Sequence, residues 1–497
     1  MTRPLAILLA VAWCFGPQGA FQEAIAQGYG SPLRMQGLDH RTSASAASRG
    51  AGGITIGLMS DPSLMFASPT SLQSLQGIHF VLGGARTSRT LDQEQQWLPL
   101  RNFPTFSLMM EGLIDQIDDP DLSEPPPEGL GPEDSIPRPY DLIKPNWSLD
   151  EPERTSIQGF VAAPFEIAAL KVVGGIGAVE YANLDYYFQN NNVLTPSIGT
   201  QRPVGVPLPA IGQVIPVDWT QNLQQRRGSI MGYGGAVSVS VTDEISVGAS
   251  GLLLDGHSDD TELTIGRGRI RFGNNNNVFY HTLDSVYSHI SSAGSSDYSG
   301  YEVSLGAEYR GPRISLNLTV RAPSVIERTF SGSVAVDTTG TPSTSPVSGT
   351  DEMLLPWRGS AGISFAVRED LMFAFEYETR PLASAQYTDP SGETSRPWLS
   401  SSTFRVGAEC VPLSWLALRA GFREEAEVFE QEGAAIIGEA VRSSVYSIGL
   451  GLTVAGVRIN GAYEYSHLKY EDRWQTNVNL NDIERHSVVA DISYVIR

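Results

Sequence analysis

The feature that most constrains this chain is a two-residue alternation of apolar and polar side chains, recurring from about residue 77 to the end. Val457, Ile459, Gly461, Tyr463 and Tyr465 alternate with Arg458, Asn460, Ala462, Glu464 and Ser466. Residues 301–310, 313–321, 371–378 and 416–423 repeat the pattern. Successive side chains of a strand point to opposite faces, so each segment offers one face to an apolar medium and the other to water. A soluble sandwich also alternates, and the connections separate the two cases. Tight links lie at Ala163-Pro164-Phe165-Glu166, Thr242-Asp243, Gly311-Pro312, Arg368-Glu369-Asp370, Pro412-Leu413 and Ala455-Gly456. They alternate with long ones near 89–153, 182–227, 257–297, 324–356, 382–400, 425–441 and 471–483. That sorting belongs to an outer-membrane barrel, with short periplasmic turns and long extracellular loops. Fourteen segments, from 77–88 to 484–496, predict an all-β, 14-stranded antiparallel transmembrane barrel with both ends on the periplasmic side.

Composition narrows the alternatives. No run approaches the roughly 18 to 20 apolar residues of a spanning helix, which excludes a helical membrane protein. Arg3, the apolar stretch 5–15 and Ala24-Ile25-Ala26 read as a cleavable signal peptide. The expected organisation is therefore a signal peptide at 1–26, an N-terminal hatch segment at 27–76 and the barrel at 77–497. The mature chain would keep only Cys410, so no disulfide is expected. A net charge of -21 argues against nucleic acid as a partner and fits acidic, solvated loops. Divalent-cation bridging to anionic outer-leaflet glycolipid is the functional alternative.

Within the long links, 118–153 is rich in proline and acid, Asn274 to Asn277 form a polar run, and 327–351 reads as a mobile Ser/Thr/Gly/Pro loop. Residues 103–114 are strongly apolar, with Phe103, Phe106, Leu108, Met109, Met110 and Leu113 as a candidate ligand groove. Motifs of catalysis are missing: no G-x-S-x-G, no H-E-x-x-H, no phosphate loop and no cysteine pair. No enzyme activity, cofactor or metal is expected. The polar strand faces carry Arg310, Arg313, Arg358, Arg405, Arg419, Arg423 and Arg458 against Glu302, Glu308, Glu376, Glu378, Glu409 and Glu464. Such charges must pair or meet water, so an ion-pair network inside the wall is expected.

Arg49-Gly50-Ala51-Gly52-Gly53 followed by Asp61-Pro62-Ser63-Leu64-Met65-Phe66-Ala67-Ser68-Pro69-Thr70 resembles the hatch of the outer-membrane long-chain fatty acid transporter family, the FadL-like barrels. Leu355-Pro356-Trp357-Arg358, Tyr377-Glu378, Phe404 to Glu409 and Leu418 to Phe422 resemble its strand phrases. The chain departs from the hatch pattern at Ser68, where the family has asparagine, and at Thr70, where it has alanine. It also ends in Arg497 rather than an aromatic residue. The resemblance implies a hatch built on Asp61, Pro62, Ser63, Phe66 and Pro69, and release of ligand through a kink in the wall. It implies a carboxylate anchor at Arg396 and Arg405. The family's second basic residue has no clean match, since Asp259, Asp260 and Glu262 occupy its region, with Arg267, Arg269 and Arg271 slightly further on. An uncharged hydrophobic substrate therefore stays open.

The expected function is passive uptake of long-chain fatty acids or similar hydrophobic compounds across the bacterial outer membrane. A PorV-like barrel that docks secreted proteins is the alternative, followed by a general porin. Expected partners are a hydrophobic small-molecule ligand, outer-membrane lipid and glycolipid, and the barrel-assembly machinery; a monomer is expected.

Overall fold

The structure, a computed structural model, describes residues 33–38, 45–58, 61–97, 146–167, 170–195, 209–284, 288–337, 341–431, 438–474 and 477–496. Its strands are β1 (Ile78–Trp97), β2 (Trp147–Ile167), β3 (Leu170–Asn183), β4 (Tyr186–Thr195), β5 (Val214–Ser240), β6 (Ile245–Asn275) and β7 (Val278–Asp284). They continue as β8 (His289–Arg310), β9 (Ile314–Arg321), β10 (Ser324–Asp337), β11 (Ser343–Leu355), β12 (Arg358–Arg368), β13 (Leu371–Arg380) and β14 (Gln386–Thr388). The last are β15 (Thr394–Ser395), β16 (Ser401–Leu413), β17 (Leu416–Ala426), β18 (Arg442–Val454), β19 (Val457–Trp474) and β20 (Asn477–Ile496). Fourteen of them form a closed antiparallel wall in the order β1, β2, β3, β5, β6, β8, β9, β12, β13, β16, β17, β18, β19, β20. The wall closes where β1 pairs with β20 along its whole length.

The alternation read from the sequence is the alternation of the wall. On β8, Tyr301, Val303 and Leu305 are exposed while Glu302 and Ser304 are buried. The same rule puts Leu316 and Leu318, Phe373 and Phe375, and Ile448 and Leu450 on the outside. A contiguous apolar belt around a protein is far larger than the patches that water-soluble monomers tolerate. Hydrocarbon is its natural solvent. The belt ends abruptly: on β6, Leu253 is the last large apolar side chain before Asp255, His257 and Asp259.

The turns at one end are tight. β18 and β19 are joined by Ala455 and Gly456, both with positive φ, as the twist of a two-residue hairpin requires. At the other end the links are longer than strands need, and part of that length is itself strand. Residues 327–337 and 343–351, expected to belong to a mobile loop, are instead the paired strands β10 and β11, in register from Ser324↔Leu355 to Val336↔Ser343. The ladder supplies the backbone partners that a Ser/Thr-rich loop would otherwise take from water. The Asn274–Asn277 run is the turn between β6 and β7, with Asn276 and Asn277 at positive φ. Asparagine tolerates that conformation better than most residues.

Prolines break three adjacent strands at one level. Ala322-Pro323 separates β9 from β10, Pro356-Trp357 separates β11 from β12, and Pro381 ends β13. The registers Ser324↔Leu355 and Arg321↔Arg358 place the first two breaks opposite each other. Proline has no N–H to give to a ladder, so the ladder is interrupted there. Ile326, Met353, Leu355 and Leu382, just beyond these breaks, belong to one buried apolar cluster.

Candidate functional site

The inner space has two layers, set by which side chains the strands send inward. In the lower layer the inward faces carry ion pairs. Glu464 holds both Arg49 and Arg423. Glu376 and Glu378 take the two arms of Arg405 at 2.9 and 2.7 Å. Arg419 reaches Glu409 at 2.7 Å and Arg358 reaches Glu302 at 2.5 Å. Arg405 and Arg419 pair with the adjacent strand, whereas Arg423–Glu464 and Arg358–Glu302 each reach across an intervening strand, and the N-terminal segment adds further partners.

That segment packs against the inward faces. A short helix α1 (Ala46–Gly50) is capped by Ser45, whose Oγ accepts from the Ser48 amide at 3.0 Å. The Ala46 amide donates to Asp491 at 3.0 Å, and the Gly52 amide donates to Ser447 Oγ at 2.9 Å. Close approach is enforced by glycine: a Cβ on Gly52, at φ +76°, would lie 2.5 Å from the Val406 carbonyl oxygen. Asp61 accepts from the Ser63 amide at 3.0 Å and from Ser45 Oγ, which fixes the turn at Pro62. Phe66 lies against Phe160 with ring centroids 6.2 Å apart. Pro69 lies against Gly248 and Gly306 of the wall. The two departures from the family pattern share one partner: Asn317 Nδ2 donates to Ser68 Oγ and Thr70 Oγ1, both at 3.0 Å.

The upper layer combines an apolar cluster with buried, paired charges. Phe66, Val179, Tyr181, Leu184, Leu254 and Trp398 belong to its cluster. At its lower boundary a cavity of about 230 Å³ touches Phe66, Val179, Tyr181 and Leu252 on one side and the ion-pair layer on the other.

Beside this cavity the wall is open. The β2–β3 ladder runs from Ile167↔Leu170 to Gly159↔Ala178 and stops. β2 continues on β1 to Gln93↔Trp147, and β3 continues on β5 to Asn183↔Ser229. β3 carries a bulge between Glu180 and Ala182 and breaks at Leu184-Asp185 before β4 resumes the pairing with β5. A bulge bends its strand and ends the local pairing. Ser156 on one flank and Val179 to Tyr181 on the other line the inner cavity. A second, outer cleft of about 680 Å³ reaches Glu151, Asp185, Arg227 and His257, so inner and outer spaces meet at Asp185.

A clasp spans the top of this slot. Glu151 of β2 accepts from Gln225 at 3.1 Å and pairs with Arg227, both on β5, skipping the strand between. Arg89 of β1 holds the same carboxylate at 3.2 Å. Close by, the exposed His257 is hydrogen-bonded to Asp297 at 2.7 Å. That bond is the main reason its pKa is raised.

The proposed site residues thus fall into three sets. Asp61, Pro62, Ser63, Phe66 and Pro69 come together against the inner wall. Arg405 is inside the bore, with both arms on glutamates, whereas Arg396 is exposed in the link before β16. The groove at Phe103, Phe106, Leu108, Met109, Met110 and Leu113 lies outside the described residues. The sequence reading missed Arg226 and Arg328 and named Arg267 only as lying near the family's second basic position; all three are buried in the upper layer. They stand in stretches read as loops. The signal that could have found them was alternation persisting past the belt, as in Ile326, Arg328 and Phe330.

No protein-family model matches the sequence, and no curated protein matches it. The fold does have close parallels. A solved structure of a Pseudomonas aeruginosa FadL homologue aligns with TM-score 0.58 and 12% identity, over 92% of this chain and 99% of that one. The P. putida toluene transporter TodX aligns with TM-score 0.54 and 12% identity, over 93% and 99%. The CymD monoaromatic hydrocarbon channel aligns with TM-score 0.50 and 11% identity, over 93% and 98%. The chain therefore shares the FadL-type barrel fold across nearly its whole length.

Proposed function

We propose that the chain is a FadL-type channel that takes hydrophobic compounds across the bacterial outer membrane and releases them sideways through the wall. Long-chain fatty acids are one class of cargo this reading covers. The observation that carries it is the slot between β2 and β3, opening beside an apolar chamber above a charged bore. An alkyl chain loses about 0.8 kcal/mol for each CH₂ moved from an apolar to an aqueous setting. A path down through Arg49, Glu464, Arg423 and Arg405 would incur that cost repeatedly and disrupt buried ion pairs as well. The slot offers the alternative, from apolar chamber to membrane interior.

The N-terminal segment would act as the hatch that keeps the bore shut to ions. The relatives of like fold include transporters of toluene and other monoaromatic hydrocarbons, and this supports a hydrophobic cargo. Uptake of labelled oleate and labelled decan-1-ol by a bacterium lacking its own importer tests the reading. Uptake of either, with negligible ion conductance in planar bilayers, is the expected result. A large open-channel conductance without hydrophobic uptake would make the protein a general porin.

A further inference from the structure

The apolar chamber is already occupied by the protein itself. Residues 33–38 lie in it, with Met35 and Leu38 buried in the same cluster as Tyr298, Ile326, Met353 and Trp398. Their backbone is held by two buried guanidiniums. Arg226 Nη1 donates to the carbonyls of Arg34 at 2.8 Å and Gln36 at 3.4 Å. Arg328 Nη1 donates to the carbonyls of Leu33 at 3.2 Å and Arg34 at 2.8 Å. The Leu33 amide in turn donates to Glu262 at 2.7 Å. Gly37, at φ +91°, presses on the break in strand three: a Cβ there would lie 2.9 Å from both the Asn183 carbonyl oxygen and the Leu184 Cα.

We infer that residues 33–38 are an internal competitor for the cargo site, and that the site they vacate takes an apolar molecule bearing one neutral oxygen acceptor. This rests on the channel reading above and adds where the cargo sits and which head group it carries. The tail takes the space of Met35 and Leu38, and the head takes the place of the backbone carbonyls on Arg226 and Arg328.

The charge count decides against an anion. Arg226 is already paired with Asp260 at 2.6 Å, and Arg328 is paired with Asp351. Burial opposes the Asp260 carboxylate, but the hydrogen bonds and charge of Arg226 outweigh it and hold its pKa below the usual carboxylate value. Arg34 would leave with the segment, and Glu262 would lose the amide it accepts from. Two guanidiniums would then face three carboxylates, at Asp260, Asp351 and Glu262. A fourth carboxylate on the ligand adds repulsion, whereas an alcohol, ketone or ester oxygen does not. The guanidinium N–H groups that now serve neutral peptide carbonyls would serve such an oxygen in the same way.

The test uses the full mature chain in detergent at pH 8, with Met35→Cys in a Cys410→Ser background. Maleimide labelling of residue 35 reports the segment, and equilibrium dialysis of labelled dodecan-1-ol and dodecanoate reports binding. Saturating dodecanol should speed labelling about tenfold, and dodecanoate should need at least a tenfold higher concentration for the same effect. Glu262→Gln should narrow that difference by improving dodecanoate alone. Gly37→Val, which forces the segment out, should bind dodecanol more tightly and gain nothing further in labelling.

Labelling that stays slow while dodecanol is bound would overturn the competitor, and tighter binding of dodecanoate than of dodecanol would overturn the neutral head group. The channel reading would survive either result if oleate or decanol uptake persists. Absence of uptake and of binding by either probe would remove both.

Discussion

The lower and upper halves of this barrel solve different problems with the same strands. Below, inward carboxylates and guanidiniums pair between strands and with α1, as at Arg49, Glu464 and Arg423. Every strand there is hydrogen-bonded on both sides. Above, the ladder fails between β2 and β3, prolines interrupt three other strands, and an apolar cluster fills much of the interior beside the Arg226–Asp260 and Arg328–Asp351 pairs. On the proposed reading, one half is a seal and the other a chamber with a side door. The contrast teaches that a barrel needs no wide bore to pass a hydrophobic molecule, provided the wall can be left unzipped on one side.

The contrast can be broken from the sealed half. Glu464→Ala would leave Arg49 and Arg423 without their shared carboxylate. Breaking a buried pair in this way costs about 3–5 kcal/mol. Lowered resistance to urea of the folded barrel, together with increased bilayer conductance, is the expected outcome; unchanged values on both would mean the pairs do not seal. Asn317→Ala removes both hydrogen bonds to Ser68 and Thr70. At about 1 kcal/mol for each bond, it should loosen the segment by roughly 1–3 kcal/mol, read as faster amide exchange at residues 68–74. Exchange unchanged there would show that these bonds do not anchor it.

The door gives smaller effects on stability and larger ones on transport. Glu151→Gln keeps an acceptor for Gln225 but weakens the grip of Arg227 and Arg89 on the clasp. Arg227 is largely exposed, but Glu151 and Arg89 are buried, so the change should cost about 1–3 kcal/mol. Uptake should rise a few-fold, and uptake identical to the parent would show that the clasp does not hold the slot. The smallest expected effect is at His257, whose bond to Asp297 raises its pKa above 6.5. A raised folded-state value means the contribution is complete below the unfolded pKa and is lost as pH rises through the folded one. Titration followed by NMR should show the midpoint falling towards 6.5 in Asp297→Asn; an unmoved midpoint would assign the shift to another group.

Legibility in the sequence followed the same division. The belt was readable because lipid on one side and water or charge on the other force a strict period of two, as in Val457 to Ser466. Link lengths added the direction of the strands, and paired charges such as Arg419 and Glu409 followed from the cost of burying either alone. The upper half obeys no such rule. β10–β11 looks like a loop because its Ser, Thr and Gly side chains face water on an exposed ladder, where composition is free. Arg405 could be read both as an anchor, from the resemblance, and as part of an ion-pair network, because the sequence does not fix the register that sets Glu376 and Glu378 beside it. The slot left only an indirect trace, since a missing ladder is a relation between β2 and β3 and not a property of either. Residues 33–38 gave no sign at all of their place beside Arg226 and Arg328.

The central claim is lateral release, and closing the slot tests it most directly. Ile157 and Glu180 would face each other if the ladder continued two residues beyond Gly159↔Ala178. Neighbouring strands hold opposed Cα atoms within the range a disulfide spans. Ile157→Cys with Glu180→Cys, in a Cys410→Ser background, should abolish uptake of oleate and decanol when oxidised and restore it on reduction. Full uptake by the oxidised, fully cross-linked barrel would contradict the account and send the cargo down the bore.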